Sequence, residues 1–456
     1  MASQEIVAKH RELVTSGPLL KAVITLAWPP VVGMLMEVAL SVINFFWVGR
    51  LGPSAQDSVT TSMVVIWTVF SIASIISIGV TAFVSRHVGA GEPEKAAHYV
   101  SQALRLALAI GAVVSVAGFF AAPAFLELMN AADATRAHAL SYLRVFFATS
   151  LLLYLVETAY AAFRASGDTR TPTKVGVTMV AVNMALDPLL IFGLGPIPAL
   201  GVPGAALATA IAYLCGVVLI FRPLLRGRLG YRVEGVWRDR LAPASMGKMI
   251  RVGLPIASQQ FVFVMVYWFL IGFVHEFGES AGAAMGIGNR MESFSYLTCC
   301  GFAIAASTLV GQNLGAGQPE RAARAAWSAA GFGVAITLLF GATLLLLPRT
   351  IAGVFTNDAT VLGIAADYLI ILGLSQFAMA IEIILEGAFS GAGDTLPPLL
   401  VMLPGSLARI PLAYYLAFHL GWGVNGIWWT LTITTTLKAL VLAYWFKLGH
   451  WQHKKL

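Results

Sequence analysis

The segment VGVTMVAVNMALDPLLIF, residues 175–192, has the length and apolar character of a membrane-spanning helix but carries Asn183, Asp187 and Pro188. A helix of about 20 apolar residues crosses a bilayer. A carboxylate at that depth is costly unless it faces a protein-lined cavity, so we expect Asp187 to face inward. Asn183 and Asp187 stand four residues apart, so they share one helical face and can contact the same ion or proton. Pro188 removes a backbone donor beside them and makes a local polar break.

The composition of the whole chain also indicates a membrane protein. Of 456 residues, 58% are hydrophobic and 11% are charged, and the mean hydropathy is +0.80. These values exclude a water-soluble globular protein. Apolar runs long enough to span a membrane fall at residues 22–48, 57–84, 98–122, 137–163, 172–194, 203–222, 250–276, 281–310, 323–348, 361–389, 397–420 and 424–447. The prediction is an all-α polytopic membrane protein with twelve transmembrane helices.

Lysine and arginine are distributed unevenly between the two sets of connecting loops. If the N-terminus is cytoplasmic, the loops on the opposite side hold only Arg50, Arg136 and Arg349. Because basic residues concentrate in cytoplasmic loops, both termini are predicted to be cytoplasmic. The net charge of +7 is then a topology signal and does not indicate nucleic-acid binding. We expect a multi-pass protein of the cell inner (plasma) membrane.

An internal repeat organises the chain. Three landmarks recur at one constant spacing: Pro29 and Pro255, the Gly-Ala-Gly triplets at 89–91 and 315–317, and Gly-Asp-Thr at 167–169 and 393–395. Six spans return the chain to its starting side, so the halves are predicted to be parallel repeats related by a pseudo-two-fold axis along the membrane normal.

The repeat predicts two lobes of six helices each. We assign residues 1–222 to an N-lobe, 223–249 to a basic cytoplasmic linker and 250–456 to a C-lobe. In proteins built from such repeats, substrate sites lie near the membrane midplane. We therefore expect a central cleft between the lobes.

Acidic residues outnumber basic ones inside the predicted spans. The acids are Glu37, Glu157, Asp187, Glu292, Glu382 and Glu386, and the bases are chiefly Arg290 and Arg409, with Arg144 as a further candidate. An acidic interior favours organic cations, protons or metal cations as ligands. For each acid the alternative is a locally paired charge that only fixes helix packing.

In the first half, four polar side chains are candidates for ion coupling. Glu37 and Asn44 are seven residues apart on one face of span one, and span five contributes Asn183 and Asp187. If these spans surround one pocket, the four side chains form a proton- or cation-binding cluster. A sodium ion, if it is the coupling ion, is expected at Asp187 and Asn183.

The candidate substrate cavity is formed by polar residues of the second half together with one aromatic residue of the first half. Its members are Glu382 and Glu386 on one face of span ten, Glu292 in span eight, Gln259 and Gln260 after Pro255, Arg409 in span eleven, and Tyr160 as a ring that could stack on an organic cation. We predict that Arg409 is a buried salt-bridge partner of Glu382 or Glu386.

Several motifs resemble the multidrug and toxic compound extrusion (MATE) transporters. They are FWVGRLG at residues 46–52, ASGDT at 165–169, the stretch from Asn183 to Asp187, and LVGQNLGAG at 309–317. The resemblance implies two six-helix lobes, a central cavity, and export of cationic amphipathic compounds in exchange for protons or sodium ions.

The same resemblance implies roles for individual residues. Asn183 and Asp187 look like the N-lobe pair that binds the coupling ion in bacterial members. Asn44 stands where many members have an Asp, and Glu37 stands where many have a Gln. We therefore expect Glu37 to supply the second acid.

The resulting hypothesis is an ion-coupled transporter, not an enzyme, that works by alternating access. We expect protons or sodium ions as coupling ions, no cofactor, small organic cations and membrane lipid as partners, no nucleic acid, and a monomer. One alternative is a lipid-linked saccharide flippase of a related fold, which would have additional spans and a more basic cavity. Another is an intramembrane protease, suggested by Gly-Ala-Gly-Asp at 391–394, or a receptor.

Overall fold

The computed structural model describes residues 10–129, 133–193, 198–231, 233 and 240–455, and the regular structure in these ranges is helical. Its helices are α1 (Leu19–Gly49), α2 (Pro53–Ala90), α3 (Pro93–Leu128), α4 (Asp133–Ala165), α5 (Arg170–Phe192), α6 (Val202–Leu225), α7 (Pro243–His275), α8 (Glu279–Gly315), α9 (Pro319–Leu346), α10 (Pro348–Gly353), α11 (Ala359–Gly373), α12 (Gln376–Ala392), α13 (Leu396–Leu407), α14 (Arg409–Tyr414) and α15 (Val424–Lys447).

Membrane-spanning helices account for nearly all of this structure. Over the described residues, 11 helices are long and apolar enough to cross a bilayer, and the pair α11 and α12, bent by 53°, adds a twelfth span. The prediction of an all-α protein with twelve transmembrane helices is confirmed. Span eleven runs through α13 and α14 into a π-helical turn, Tyr415–His419.

Span ten is broken where two glycines let α9 and α11 approach closely. A Cβ on Gly341 would lie 2.7 Å from the carbonyl oxygen of Gly373, and a Cβ on Gly373 would lie 3.0 Å from that of Gly341. Such small residues permit close backbone contact between membrane helices. The Thr432 hydroxyl donates to the Ile371 carbonyl at 2.9 Å, so this backbone acceptor near the bend has a hydrogen-bond partner.

The chain divides into two compact units. Unit 1 contains Val32–Gly253 with the residues up to Ser16, and unit 2 contains Gly17–Val31 with Leu254–Leu456. The start of α1 thus belongs to unit 2 and the start of α7 to unit 1, a different membership from the lobes we predicted, whose boundaries stay a prediction. Close packing at two glycines explains this division, because it places the start of α7 against α2 and the start of α1 against α8. A Cβ on Gly253 would lie 1.9 Å from the Ile75 carbonyl oxygen, and one on Gly301 would lie 2.3 Å from the Val31 side chain.

The repeat is also present in loop geometry. Gly167 and Gly393, which occupy the same position in the two halves, have φ angles of 90° and 75°, a left-handed conformation that favours glycine. The acids that follow them are paired in the same register. Asp168 lies 3.8 Å from the Arg228 Nε, and Asp394 lies 3.0 Å from the Lys454 Nζ. Each half therefore ties the loop after its fourth span to the segment after its sixth.

Candidate functional site

The first polar cluster surrounds Asp187 in unit 1. Asp187 lies on the buried face of α5 and is 0% exposed. The Asn44 Nδ2, on α1, donates to the Asp187 Oδ2 at 3.3 Å. An amide hydrogen bond therefore joins the first and fifth spans through this carboxylate.

Asn183 completes the cluster together with a residue of α6. Its amide lies 3.0 Å from the Thr209 Oγ1. With the amide turned so that its nitrogen faces the carboxylate, the Asn183 Nδ2 donates to the Asp187 Oδ2 at 3.1 Å and its oxygen accepts from the Thr209 hydroxyl at 3.0 Å. The structure thus brings together Asn44, Asn183 and Asp187, which the sequence had suggested. It adds Thr209, a threonine in an apolar span that the sequence did not single out.

The second carboxylate oxygen of Asp187 determines what the cluster can bind. The Asp187 Oδ1 is buried and has no hydrogen-bond partner in the described part of the chain. A buried carboxylate with only amide and hydroxyl neighbours is unfavourable in its charged form unless a cation or proton joins it. A proton fits at the Oδ1 itself. Sodium would need additional oxygens, which the amides of Asn44 and Asn183 and the Thr209 hydroxyl can supply.

Glu37 belongs to a different group of charges in unit 1. It is exposed on α1, and its electrostatic neighbours are Glu157 and Arg164. The Arg164 Nη2 lies 3.6 Å from the Glu157 Oε2, and its guanidinium lies 5.9 Å from the centre of the Tyr160 ring. In the described residues, no hydrogen bond or ion pair joins Glu37 to Asp187. Its role as the second acid stays a prediction.

In unit 2 the central contact is a buried ion pair. The Lys438 Nζ, on α15, lies 2.7 Å from the Glu382 Oε1, on α12, and the two side chains are 4% and 14% exposed. Lys438 was missed at the sequence level, although a lysine in the middle of an apolar span is itself a signal of a buried partner. The Glu382 Oε2 is buried and has no hydrogen-bond partner among the residues described.

Arg409 is not the salt-bridge partner that we predicted. Its Nε donates to the Thr434 Oγ1 at 3.0 Å and its Nη2 to the Thr435 Oγ1 at 2.9 Å. The prediction was wrong because α15 presents Thr434, Thr435 and Lys438 within about one turn, so the lysine reaches Glu382 while the threonines receive the guanidinium. The Arg409 guanidinium also lies 5.7 Å from the centre of the Phe263 ring.

The other candidates for a substrate cavity divide between the two units. In unit 2 the Gln259 Nε2 donates to the Glu386 Oε1 at 3.1 Å, and Glu292 is an electrostatic neighbour of Arg409 and Glu382. Gln260, beside Gln259, is exposed. Tyr160 lies in unit 1, where its hydroxyl donates to the Met179 Sδ at 3.4 Å.

Comparisons with known proteins agree with the repeat. The family model MatE matches residues 29–189 and 255–415, two ranges of equal length that keep the spacing of the internal repeat. The multidrug resistance protein NorM of Burkholderia vietnamiensis is 30% identical over 437 residues, covering 93% of this chain and 92% of the relative. A FAD transporter of Shewanella oneidensis is 27% identical over 443 residues, covering 96% of each. Among solved structures, an outward-facing multidrug resistance MATE family transporter of the MOP superfamily has a TM-score of 0.90 and 23% identity, covering 96% of this chain and 97% of that one.

Proposed function

Because the chain belongs to the MatE family, we propose that it is a secondary active antiporter that exports organic cations or amphipathic drugs in exchange for protons or sodium ions. One observation carries the ion-coupled part of the proposal. Asp187 is fully buried, and one of its oxygens has no partner in the described residues. A proton or sodium ion at that oxygen would neutralise the carboxylate, so occupancy of the site depends on the ion gradient.

The coupling ion acts on α1 through Asn44. When the ion binds, the charge of Asp187 is neutralised and the hydrogen bond from the Asn44 amide weakens. Helix α1 contains Pro29 and Pro30, which interrupt its backbone hydrogen bonding and make bending possible. Ion binding from outside therefore favours one shape of α1 and ion release inside favours the other. This is the two-state element that alternating access requires.

Glu37 supplies a second titratable group on the same helix. Its neighbours Glu157 and Arg164 form an acid and base pair on α4. A proton or cation taken up by Glu37 changes the charge balance of that pair. We assign Glu37 a supporting role in coupling, separate from the ion held by Asp187.

Organic cations are the substrate class that the charges of unit 2 favour. Glu292, Glu382 and Glu386 outnumber Lys438 and Arg409, so the polar cluster keeps a negative balance when all five are charged. A flavin dinucleotide is the second candidate, since one relative is a FAD transporter and the Arg409 guanidinium, whose hydrogen bonds in the described residues go to threonines, could receive a phosphate. The distribution of lysine and arginine among the loops gives the orientation of the chain in the inner membrane, with both termini cytoplasmic.

Purified protein in liposomes tests the proposal. Tetraphenylphosphonium flux should be driven by an imposed pH gradient or by an imposed sodium gradient, and the effective gradient identifies the ion. Competition by FAD, but not by a second organic cation, would favour the dinucleotide substrate. Asp187→Asn should abolish gradient-driven flux. Unchanged gradient-driven flux in that variant would refute the role of Asp187.

A further inference from the structure

An aromatic pair recurs at the ends of the first and seventh spans. In unit 1, Trp47 and Phe192 meet edge to face with their ring centres 6.0 Å apart and their planes at 69°. In unit 2, Phe273 and Phe418 meet at 5.9 Å and 79°. Phe273 follows Trp47, and Phe418 follows Phe192, at the spacing of the internal repeat. The two halves therefore build the same aromatic corner where α1 and α7 end.

In the first half, an arginine side chain lies over the rings of the aromatic corner. The guanidinium carbon of Arg50 lies 4.7 Å from the centre of the Phe46 ring and 5.2 Å from that of Trp47. A cation within about 6 Å of an aromatic ring centre is attracted by the negative face of the ring. The aromatic corner of unit 1 is thus a cation-binding arrangement in which the cation is tethered to the chain.

In the second half, an acid takes the place of the arginine and a glycine takes the place of the phenylalanine. The repeat places Glu276 at the position of Arg50, and Gly272 at the position of Phe46. Among the described residues, and apart from its chain neighbours and the adjacent backbone of its own helix, no atom lies within 4 Å of a Cβ built on Gly272. Glu276 is exposed and makes no ion pair within the described residues. Among the residues that the structure describes, the lining of this aromatic corner in unit 2 therefore includes an acid and no basic side chain.

A pocket occupies this place. It has a volume of about 320 Å³ and is lined by Trp268, Phe269, Gly272, Phe273 and Glu276. Its lining residues all come from α7 and the residue that follows it, so the pocket is shallow and open on the side away from this helix. Trp268 and Phe269 are 55% and 53% exposed, so both rings can receive a ligand.

We propose that this pocket at the end of α7 binds an organic cation with a hydrophobic body. Glu276 neutralises the positive charge, and Trp268, Phe269 and Phe273 contact the body and the cation through their ring faces. The inference deepens the proposed function and rests on it. With both termini cytoplasmic, α7 ends on the outer side of the membrane, so the pocket receives the exported cation as it leaves the protein. Aromatic rings alone would suit a membrane-interface belt, but the acid in place of Arg50 selects a cationic occupant.

Protection of an introduced thiol tests binding at this pocket directly. Gly272→Cys, in a chain whose three native cysteines are replaced by alanine, places a thiol in the open space. Tetraphenylphosphonium should slow labelling of that thiol by an uncharged maleimide, whereas uncharged triphenylphosphine oxide should not. Adding Glu276→Gln should raise the half-protecting concentration about fivefold, the loss expected for one solvent-facing ion pair. Glu276→Arg should abolish protection, because its guanidinium covers the rings as Arg50 does in unit 1.

The matched control is Glu279→Gln. Glu279 is an exposed acid three residues further along that does not line the pocket, and its substitution should leave protection unchanged. Absence of protection by tetraphenylphosphonium, or equal protection with Glu276→Arg, would overturn the inference. The assay uses no ion gradient and is repeated with Asp187→Asn. If tetraphenylphosphonium protects the thiol but the unsubstituted protein shows no gradient-driven flux, the antiporter proposal alone is overturned. If the unsubstituted protein shows flux but the thiol is not protected, the pocket proposal alone is overturned.

Discussion

The side-chain amide of Asn44 donates a hydrogen bond of 3.3 Å to the Asp187 carboxylate, which joins two helices whose residues are 143 positions apart. If Asp187 binds the coupling ion as we propose, this contact links the bound ion to the proline-containing helix α1. In the described residues the donors to this carboxylate are amides and carry no charge.

Asn44→Asp should strengthen cation binding at Asp187. A second carboxylate at this position increases the negative charge around the ion, so the sodium concentration or proton concentration that half-saturates transport should fall, by about tenfold for each 1.4 kcal/mol gained. Asn44→Ala is the control, since it removes the amide without adding charge and should weaken coupling. The measurement is the initial rate of gradient-driven flux in liposomes against ion concentration. An unchanged half-saturating concentration in Asn44→Asp would contradict the role of this contact.

Glu37 and Asp187 should act independently in coupling. Glu37 has Glu157 and Arg164 as its electrostatic neighbours, whereas Asp187 is held by amides. Effects of residues without shared partners usually add within about 0.5 kcal/mol. Asp187→Glu keeps a carboxylate, so flux should remain measurable in this variant. In a double-mutant cycle of Glu37→Gln and Asp187→Glu, the changes in log flux should therefore add. A larger interaction energy would mean that Glu37 shares the ion of Asp187, as the sequence alone had suggested.

Some features of this site were predictable because they are local or set by the bilayer. The four-residue spacing of Asn183 and Asp187 fixes their common face, and the length of each apolar run fixes the span. The pairing of side chains from distant spans was not predictable, because it depends on how each helix is rotated in the bundle. Lys438 reaches Glu382 across 56 residues of sequence, and Thr209 meets Asn183 only because α5 packs on α6. The bend of span ten likewise depends on a contact with another helix.

The loop between α2 and α3 should contribute stability that depends on pH. Lys95 and then His87 hold the pKa of Glu92 below its ordinary value of 4.5, through hydrogen bonds of 2.8 and 2.7 Å. A lowered pKa in the folded state means that the contribution is present above pH 4.5 and is lost as the pH falls through the folded-state value. Glu92→Gln should therefore lower the melting temperature slightly at pH 7 and have no effect below that range. The control is Glu94→Gln, an exposed neighbour. A deficit that persists unchanged at low pH would contradict this account.

The buried pair of Lys438 and Glu382 should be important for stability as a pair. Lys438 is buried, Glu382 is largely buried, and their charged atoms are 2.7 Å apart. Lys438→Met leaves an uncompensated carboxylate in the bundle, and removal of one partner of a buried ion pair typically costs about 3–5 kcal/mol. Adding Glu382→Met removes the second charge, so most of that loss should be recovered, because apolar replacement of a whole buried pair is often neutral. Thermal unfolding of the detergent-solubilised variants measures both steps, and substitution of the exposed Lys447 by methionine is the control. If the double variant were less stable than Lys438→Met alone, Glu382 would have to be stabilised by groups other than the lysine, and the pair would not be the central contact of unit 2.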